Sequence, residues 1–309
     1  MTSKVILNPY SDRWRAKERI PETEAALKAC GIDYDLSLTE YPGHGTEIAS
    51  QAMRDDYTSI IASGGDGCYN EVINGIIQVS ETDSGDVVLK PFGMLPLGAA
   101  NDLAVNLGLP KDLLAAAKVI AAKKVRMMDL CQVTFIDDNR RYYFGNNSAI
   151  GLEPTVTLIQ SRMKRLRGIL RYLVAALMAI AQNPTWSGDL EWEGGEYHGP
   201  ITLVSVGNNP LTGGVFYMTP HADPFDGLLT FMYGYLPSSF QILCILPRTM
   251  KRGEGSHVEH PAIHEVHSPW LRIHLEQPTP IHTDGEIQSE SIQNVEYRIL
   301  PARLPVFLL

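Results

Sequence analysis

The stretch Ile60 to Gly75, IIASGGDGCYNEVING, holds the residues best suited to chemistry. The apolar run Ile60-Ile61-Ala62 gives way to three glycines, Gly64, Gly65 and Gly67, around one acid, Asp66. That pattern predicts a buried strand breaking into a tight loop. Beyond Cys68, the residues Val72, Ile73, Ile76 and Ile77 recur at helical spacing, with Asn70 and Asn74 on another face. A strand, a glycine loop and a helix N-terminus together make an anion site, because glycines admit close backbone N–H approach and the helix start carries partial positive charge. Asp66 would repel a phosphate unless a divalent cation, Mg²⁺ reached through water, lies between them. The loop therefore suits a metal–nucleotide complex. A purely structural strand-to-helix turn would use the same glycines. No G-x-x-x-x-G-K-[ST] occurs, and Asn70 stands where a dinucleotide fingerprint has its third glycine.

Further acids sit at turns. Asp223 and Asp226 flank one near Gly227, and carboxylates with backbone carbonyls in a turn suit a hard cation, although a plain Asp-Gly turn explains them equally. Thr283-Asp284-Gly285-Glu286 reads as a hairpin turn. His257, His260, His264 and His267 have suggestive spacing, but Pro261 interrupts any helix that would align them and no cysteine is near, so zinc is not supported.

These residues need a frame. Val5-Ile6-Leu7 predicts a first strand, Ile20–Ala29 a helix, Tyr34–Leu38 a strand, Glu47–Arg54 a helix after the loop Pro42-Gly43-His44-Gly45, and Phe92–Leu97 another strand. Strand and helix alternation implies an α/β, Rossmann-like domain with a parallel sheet over residues 1–129, its ligand at the carboxyl ends of the strands. Asn101 and Asp102 are helix N-capping types. From 130 to 298 short strands at Gln132–Ile136, Arg141–Phe144, Ile201–Val206, Leu228–Tyr233 and Leu271–Leu275 predict a mostly β, sandwich-like domain. One helical region, Thr155–Ala181, interrupts it; its first half carries Arg162, Lys164, Arg165, Arg167 and Arg171. A solvated helix end accounts for those cations, and a surface meeting anionic lipid headgroups is the functional alternative. The apolar segment 299–309 is expected to return to the first domain.

The chain has 309 residues, 44% hydrophobic and 20% charged, with a net charge of −9. Two ordinary domains fit that length, and the acidic balance argues against nucleic acid as main partner. Cys30, Cys68, Cys131 and Cys244 are far apart and read as free thiols of a reducing compartment. With no signal-peptide pattern before Val5 and no apolar run near 20 residues, a cytoplasmic protein is expected, with transient peripheral contact to membranes open to it.

The motif GGDGCYNEVING resembles the signature of the diacylglycerol kinase catalytic domain, and the resemblance extends over essentially the whole chain. NPYS, TEYPGHG, LPLGAANDLA, the 220–230 turn, the histidine stretch and DGE follow in the family's order. It implies the NAD kinase/diacylglycerol kinase-like fold and a Mg²⁺-dependent lipid kinase with ATP as phosphoryl donor. The nucleotide would lie at Asn8, Thr39, His44, Gly64, Gly65, Asp66, Gly67, Cys68, Tyr69, Asn70, Ala99, Asn101 and Asp102, at the cleft between the domains. Cys68 and Ala99 replace family threonines, so two hydroxyls are absent. A structural Mg²⁺ would be bound by the Asp226 side chain and the carbonyls of Asp223 and Leu228; Thr230 replaces a further family aspartate. Glu286 would be general base, with Asp66 as its catalytic companion. The acceptor would be the primary hydroxyl of a diacylglycerol-like or sphingoid-like lipid presented at a membrane surface. NAD kinase-like activity, a non-catalytic nucleotide or lipid binder, and a homodimer all stay open.

Overall fold

A computed structural model describes residues 2–82, 88–163, 168–182 and 184–309. The chain divides into two compact units, Met1–Leu130 with Pro301–Leu309, and Cys131–Leu300.

In the first unit the elements run β1 (Ser3–Leu7), α1 (Arg15–Glu18), α2 (Ile20–Ala29), β2 (Tyr34–Leu38), α3 (His44–Arg54), β3 (Ser59–Gly64), α4 (Asp66–Thr82), β4 (Phe92–Pro96), α5 (Asp102–Asn106) and α6 (Leu113–Ala121). The strands lie in the order β4-β3-β1-β2, all parallel. Every residue of β1, β3 and β4 is buried, which is why their centres, Val5–Leu7, Ile60–Ala62 and Phe92–Leu95, read as apolar runs rather than alternating ones. Val5, Leu7, Ile61 and Leu95 share one core with Leu27 of α2, Ala117 of α6 and, from the far end of the chain, Phe307. Val306 pairs in parallel with Phe92, so the final residues extend this sheet.

Helix α3 begins at His44 and not after a Pro42–Gly45 loop. The reason lies in α4: Glu71 accepts the N–H groups of Gly43 at 2.8 Å and Gly45 at 2.9 Å. These donors have no partner within the helix, and the carboxylate supplies one. The two helices touch closely enough that a Cβ on Gly75 would stand 2.4 Å from the Thr46 carbonyl oxygen.

The second unit contains β5 (Val125–Phe135, which begins in the first unit), β6 (Arg140–Phe144), β7 (Asn147–Gly151), α7 (Leu152–Arg162), α8 (Gly168–Ala181), β8 (Trp186–Trp192), β9 (Gly195–Ile201) and β10 (Leu203–Gly207). It continues with β11 (Leu211–Thr212), β12 (Phe216–Tyr217), β13 (Leu229–Gly234), α9 (Ser239–Ile245), β14 (Ile263–Ser268), β15 (Trp270–Thr283) and β16 (Glu286–Phe307, which ends in the first unit). Antiparallel pairing gives the order β14-β13-β10-β7-β15-β16, with β8 added on β15 and β9 on β8. One core lies on this sheet around Val206, Phe231, Ile273 and Val295, and a second gathers Val156, Ala176, Met232 and Ile242 beneath the helices.

The single helical region expected over Thr155–Ala181 is two helices, and α7 ends where Met163 turns to extended backbone. Lys164, Arg165 and Arg167 lie outside the described residues. Arg162 pairs with Glu290 at 3.1 Å, and Arg171 donates to the Gln160 carbonyl at 2.7 Å. No described helix is long and apolar enough to cross a membrane.

Candidate active site

In the first unit, parallel pairing brings the carboxyl ends of four strands together. Asn8 N–H donates to Ser63 O, Thr39 N–H to Leu7 O, and both Leu97 and Gly98 N–H groups to Gly64 O. Asn8, Thr39, the loop at Gly64 to Gly67 and the loop at Gly98 to Asp102 therefore share one edge of the sheet. The glycines there serve packing as well as access. A Cβ on Gly98 would stand 2.4 Å from the Gly65 Cα, and one on Gly64 would meet the Cys68 Cβ at 2.5 Å.

Asp66 opens α4 and joins the two loops. Its Oδ1 accepts the N–H of Leu103 at 3.1 Å, at the start of α5. Burial pushes its carboxyl above the usual carboxylate range, against the pull of the backbone N–H groups of Leu103, Asp102 and Asn101. Asn101 does not cap α5 with its side chain; its backbone is left-handed, and its amide exchanges two hydrogen bonds with Gly98, at 2.9 and 2.8 Å. Asp102, Tyr69 and Asn70 are buried, and Asn70 accepts from the Asn74 amide through both its carbonyl, at 2.8 Å, and its Oδ1, at 3.2 Å. Ala99 lies in the short loop after β4 and presents only a methyl group.

Cys68 is turned inward. Its Sγ lies 3.9 Å from the carbonyl oxygens of both Ile6 and Ser63, and burial raises the thiol to about 12. A ligand on this loop would meet the Cys68 backbone. His44 accepts the Glu40 N–H at 3.1 Å and stacks on Tyr41.

In the second unit Glu286 is exposed, and it pairs with Thr283 across the two-residue turn Asp284-Gly285. Asp284 holds that turn. Buried and left-handed, it accepts N–H groups from Gly145 at 3.2 Å, Asn146 at 3.0 Å and Asn147 at 2.9 Å, while its own N–H donates to Asn147 O. A carboxylate satisfied by three backbone donors fixes the strand end from which Glu286 projects.

Asp223 and Asp226 are exposed and form successive Asx turns, accepting from Phe225 at 3.1 Å and Leu228 at 2.9 Å. Among the described residues no three His, Cys, Asp or Glu side chains group as a metal cluster. A cation here would rely on one or two carboxylates, carbonyls and water. The donor set is oxygen throughout, which fits Mg²⁺. The four histidines do not converge either: His257 is buried against Met218 O at 3.2 Å, while His267 meets Thr230 at 2.9 Å.

Sequence reasoning missed Glu71 and Asp284. Each is an acid within a glycine-bearing motif whose partners are backbone N–H groups, and no side-chain spacing reveals such partners.

This frame of a parallel-sheet unit with glycine loops and an antiparallel unit with an acid-bearing turn defines the NAD kinase/diacylglycerol kinase-like class. Residues 2–133 match the diacylglycerol kinase catalytic domain, and residues 147–308 match the YegS C-terminal NAD kinase beta sandwich-like domain. The chain belongs to the family that these two domains define. It is 29% identical over 305 residues to lipid kinase YegS of Escherichia coli strain K12, covering 98% of this chain and 94% of that one. It is 26% identical to a diacylglycerol kinase of Staphylococcus carnosus strain TM300, covering 92% and 88% respectively. In fold it resembles a diacylglycerol kinase from Bacillus anthracis, with a TM-score of 0.75 at 20% identity over 100% of this chain and 97% of that one. Yeast NADH kinase shares the fold more distantly, with a TM-score of 0.53 at 13% identity over 100% of this chain and 82% of that chain.

Proposed function

We propose that this chain transfers the γ-phosphoryl group of ATP, with Mg²⁺, to the primary hydroxyl of a diacylglycerol-like or sphingoid-like lipid. Its family membership makes it an enzyme of the lipid kinase class. The observation that carries the finer reading is the meeting of Gly64 to Gly67 with Gly98 to Asp102 at the strand ends, with Asp66 between them.

In this reading residues 1–129 with 299–309 bind nucleotide and residues 130–298 hold the acceptor. The N-terminal N–H groups of α4, which have no partners within the helix, and the glycine backbone receive the phosphates. Asn8, Thr39, Tyr69, Asn70, Ala99 and Asn101 complete that wall. Asp66 and Asp102 supply carboxylate oxygens for hydrated Mg²⁺, which when bound neutralises phosphate charge. Asp226, with the carbonyls of Asp223 and Leu228, would hold a second, structural ion. Glu286 takes the proton of the acceptor hydroxyl, a role suited to an exposed carboxylate on a rigid turn.

The acceptor is presented at a bilayer. Neighbouring helices α8 and α9 turn Leu173, Leu177, Met178, Phe240 and Leu243 to solvent, an apolar surface of the kind that meets membranes.

The test is transfer from labelled ATP, with Mg²⁺, into a panel of lipids in mixed micelles, run beside Glu286→Gln. Labelled lipid formed by the wild type, and reduced about 10²- to 10⁴-fold in the variant, supports the assignment. Retained ATP binding with no labelled lipid would turn the reading to a non-catalytic binder.

A further inference from the structure

The wall proposed for the nucleotide accounts for phosphates and metal and leaves the base without a platform. Its one aromatic ring, Tyr69, is 1% exposed, and the ring of His44 is already stacked on Tyr41. The loop that leaves β1 supplies a ring. Ser11 packs on the glycine loop, its Oγ 3.2 Å from where a Cβ on Gly64 would stand. Three residues further, at most about 10 Å of chain, Trp14 is 62% exposed and meets Tyr10 edge to face at 4.4 Å.

A single exposed tryptophan is ordinary. The backbone beneath this one is not: Asp12, Arg13 and Trp14 all stand in the left-handed region, at φ 45°, 58° and 74°. Each such position costs free energy for a residue with a Cβ, and a bulky side chain is an outlier there. A run of this kind persists only where its surroundings fix it. Here the Asn8 carbonyl accepts the Ser11 N–H at 3.2 Å and Asn8 Oδ1 accepts the Tyr10 N–H at 2.9 Å. The carbonyls of Tyr10 and Ser11 accept the N–H groups of Trp14 and Ala16, both at 3.2 Å, and Ala16 is anchored in the first core. The Tyr10 hydroxyl donates to Glu40 O at 3.2 Å, tying the loop to the one after β2. The strained turn buries neither ring. It presents the Trp14–Tyr10 pair at the strand ends that carry the glycine loop.

We propose that Trp14, braced by Tyr10, is the stacking platform for the base of the nucleotide, and that the left-handed Asp12–Trp14 turn sets its ring. The inference rests on the nucleotide reading of Gly64 to Gly67 and assigns a residue to the donor's base, where that reading assigns residues to its phosphates. Stacking uses the π face that every base has, so the ligand recognised is a flat aromatic ring joined to a triphosphate.

The test uses the full chain with Mg²⁺ and without lipid, and compares ATP with inorganic tripolyphosphate, which has no base, by calorimetry. Wild type should hold ATP about ten-fold or more tighter than tripolyphosphate. Trp14→Ala should weaken ATP about five- to one-hundred-fold, the range for one lost base–aromatic stack, and leave tripolyphosphate unchanged. Trp14→Phe keeps a ring and should stay within a few-fold of wild type. Trp14→Gly adopts the left-handed turn without penalty and separates the turn from the ring: it should bind ATP as weakly as Trp14→Ala. Equal wild-type affinity for the two ligands, wild-type ATP affinity in Trp14→Gly, or a parallel loss of tripolyphosphate in Trp14→Ala overturns the proposal. Ring-dependent ATP binding with no lipid labelled in the transfer assay counts against the lipid-kinase reading alone. Labelled lipid formed by a chain whose ATP affinity ignores Trp14 counts against this inference alone.

Discussion

Gly65 and Gly98 meet backbone to backbone, and a single methyl group on Gly98 would stand 2.4 Å from the Gly65 Cα. The obstacle is main chain, so no rotamer change relieves it. Gly98→Ala should cost about 1–3 kcal/mol of stability, as overpacking does. It should also spread the two loops and weaken ATP binding; denaturant titration and calorimetry measure the two effects together.

Asp284 anchors the turn that carries Glu286, the proposed base. Asp284→Ala strips the acceptor from three backbone N–H groups and should destabilise the second unit by about 3 kcal/mol or more. Turnover should fall with it while ATP affinity stays. Glu286→Gln, at an exposed position, should leave the melting temperature unchanged. A melting comparison of the two variants separates anchoring from chemistry.

Asp66 is a charge held where burial disfavours it. Its pKa in the fold lies above the unfolded value, so the folded state favours the protonated form, and the ionised carboxylate costs stability as pH rises through that raised pKa. Asp66→Asn keeps an acceptor for the Leu103 N–H and removes the charge. At neutral pH this variant should melt no lower than wild type yet lose turnover by about two orders of magnitude or more, the size of a lost electrostatic contact in a transition state.

His257 works in the opposite direction. Burial lowers its pKa from the ordinary 6.5, so the folded chain favours the neutral ring and the unfolded chain binds more protons below that value. Its contribution is intact above pH 6.5 and shrinks as pH falls toward the depressed value. Urea midpoints measured from pH 7.5 down to 5.5 should decline, and His257→Gln should flatten that decline.

The thiols offer a direct probe of burial. Cys244 is exposed, whereas Cys68 and Cys131 are buried and the Cys68 thiol is raised to about 12. Ellman's reagent at pH 8 should titrate Cys244 rapidly and reach Cys68 and Cys131 only on unfolding.

Much of the frame was legible because its signals are local. Val5–Leu7 of β1, Ile60–Ala62 of β3 and Phe92–Leu95 of β4 are short apolar runs, and the Ile60–Gly75 pattern carries its own change from strand to helix. What escaped is long-range. Nothing near Glu71 in sequence announces that its oxygens hold the start of α3, and nothing near Asp284 announces the Gly145–Asn147 backbone, more than a hundred residues away. The inward turn of Cys68 depends on the space left by Gly64 and on the carbonyls of β1 and β3, which no substitution pattern within the loop expresses. The division of the 155–181 region into α7 and α8 was hidden because its residues support helix almost throughout.

The chain leaves its first unit after Leu130 and comes back to it at Pro301. On the ribosome this sets an order of assembly. While the intervening 170 residues emerge, Phe92 has no partner for its outer edge and the core around Leu27 lacks Phe307. The later-made unit can close its own core before the earlier one does. A chain released just short of Val306 would thus hold a complete second unit and a first unit still missing its last strand, with an open sheet edge for a chaperone, or a neighbouring chain, to occupy.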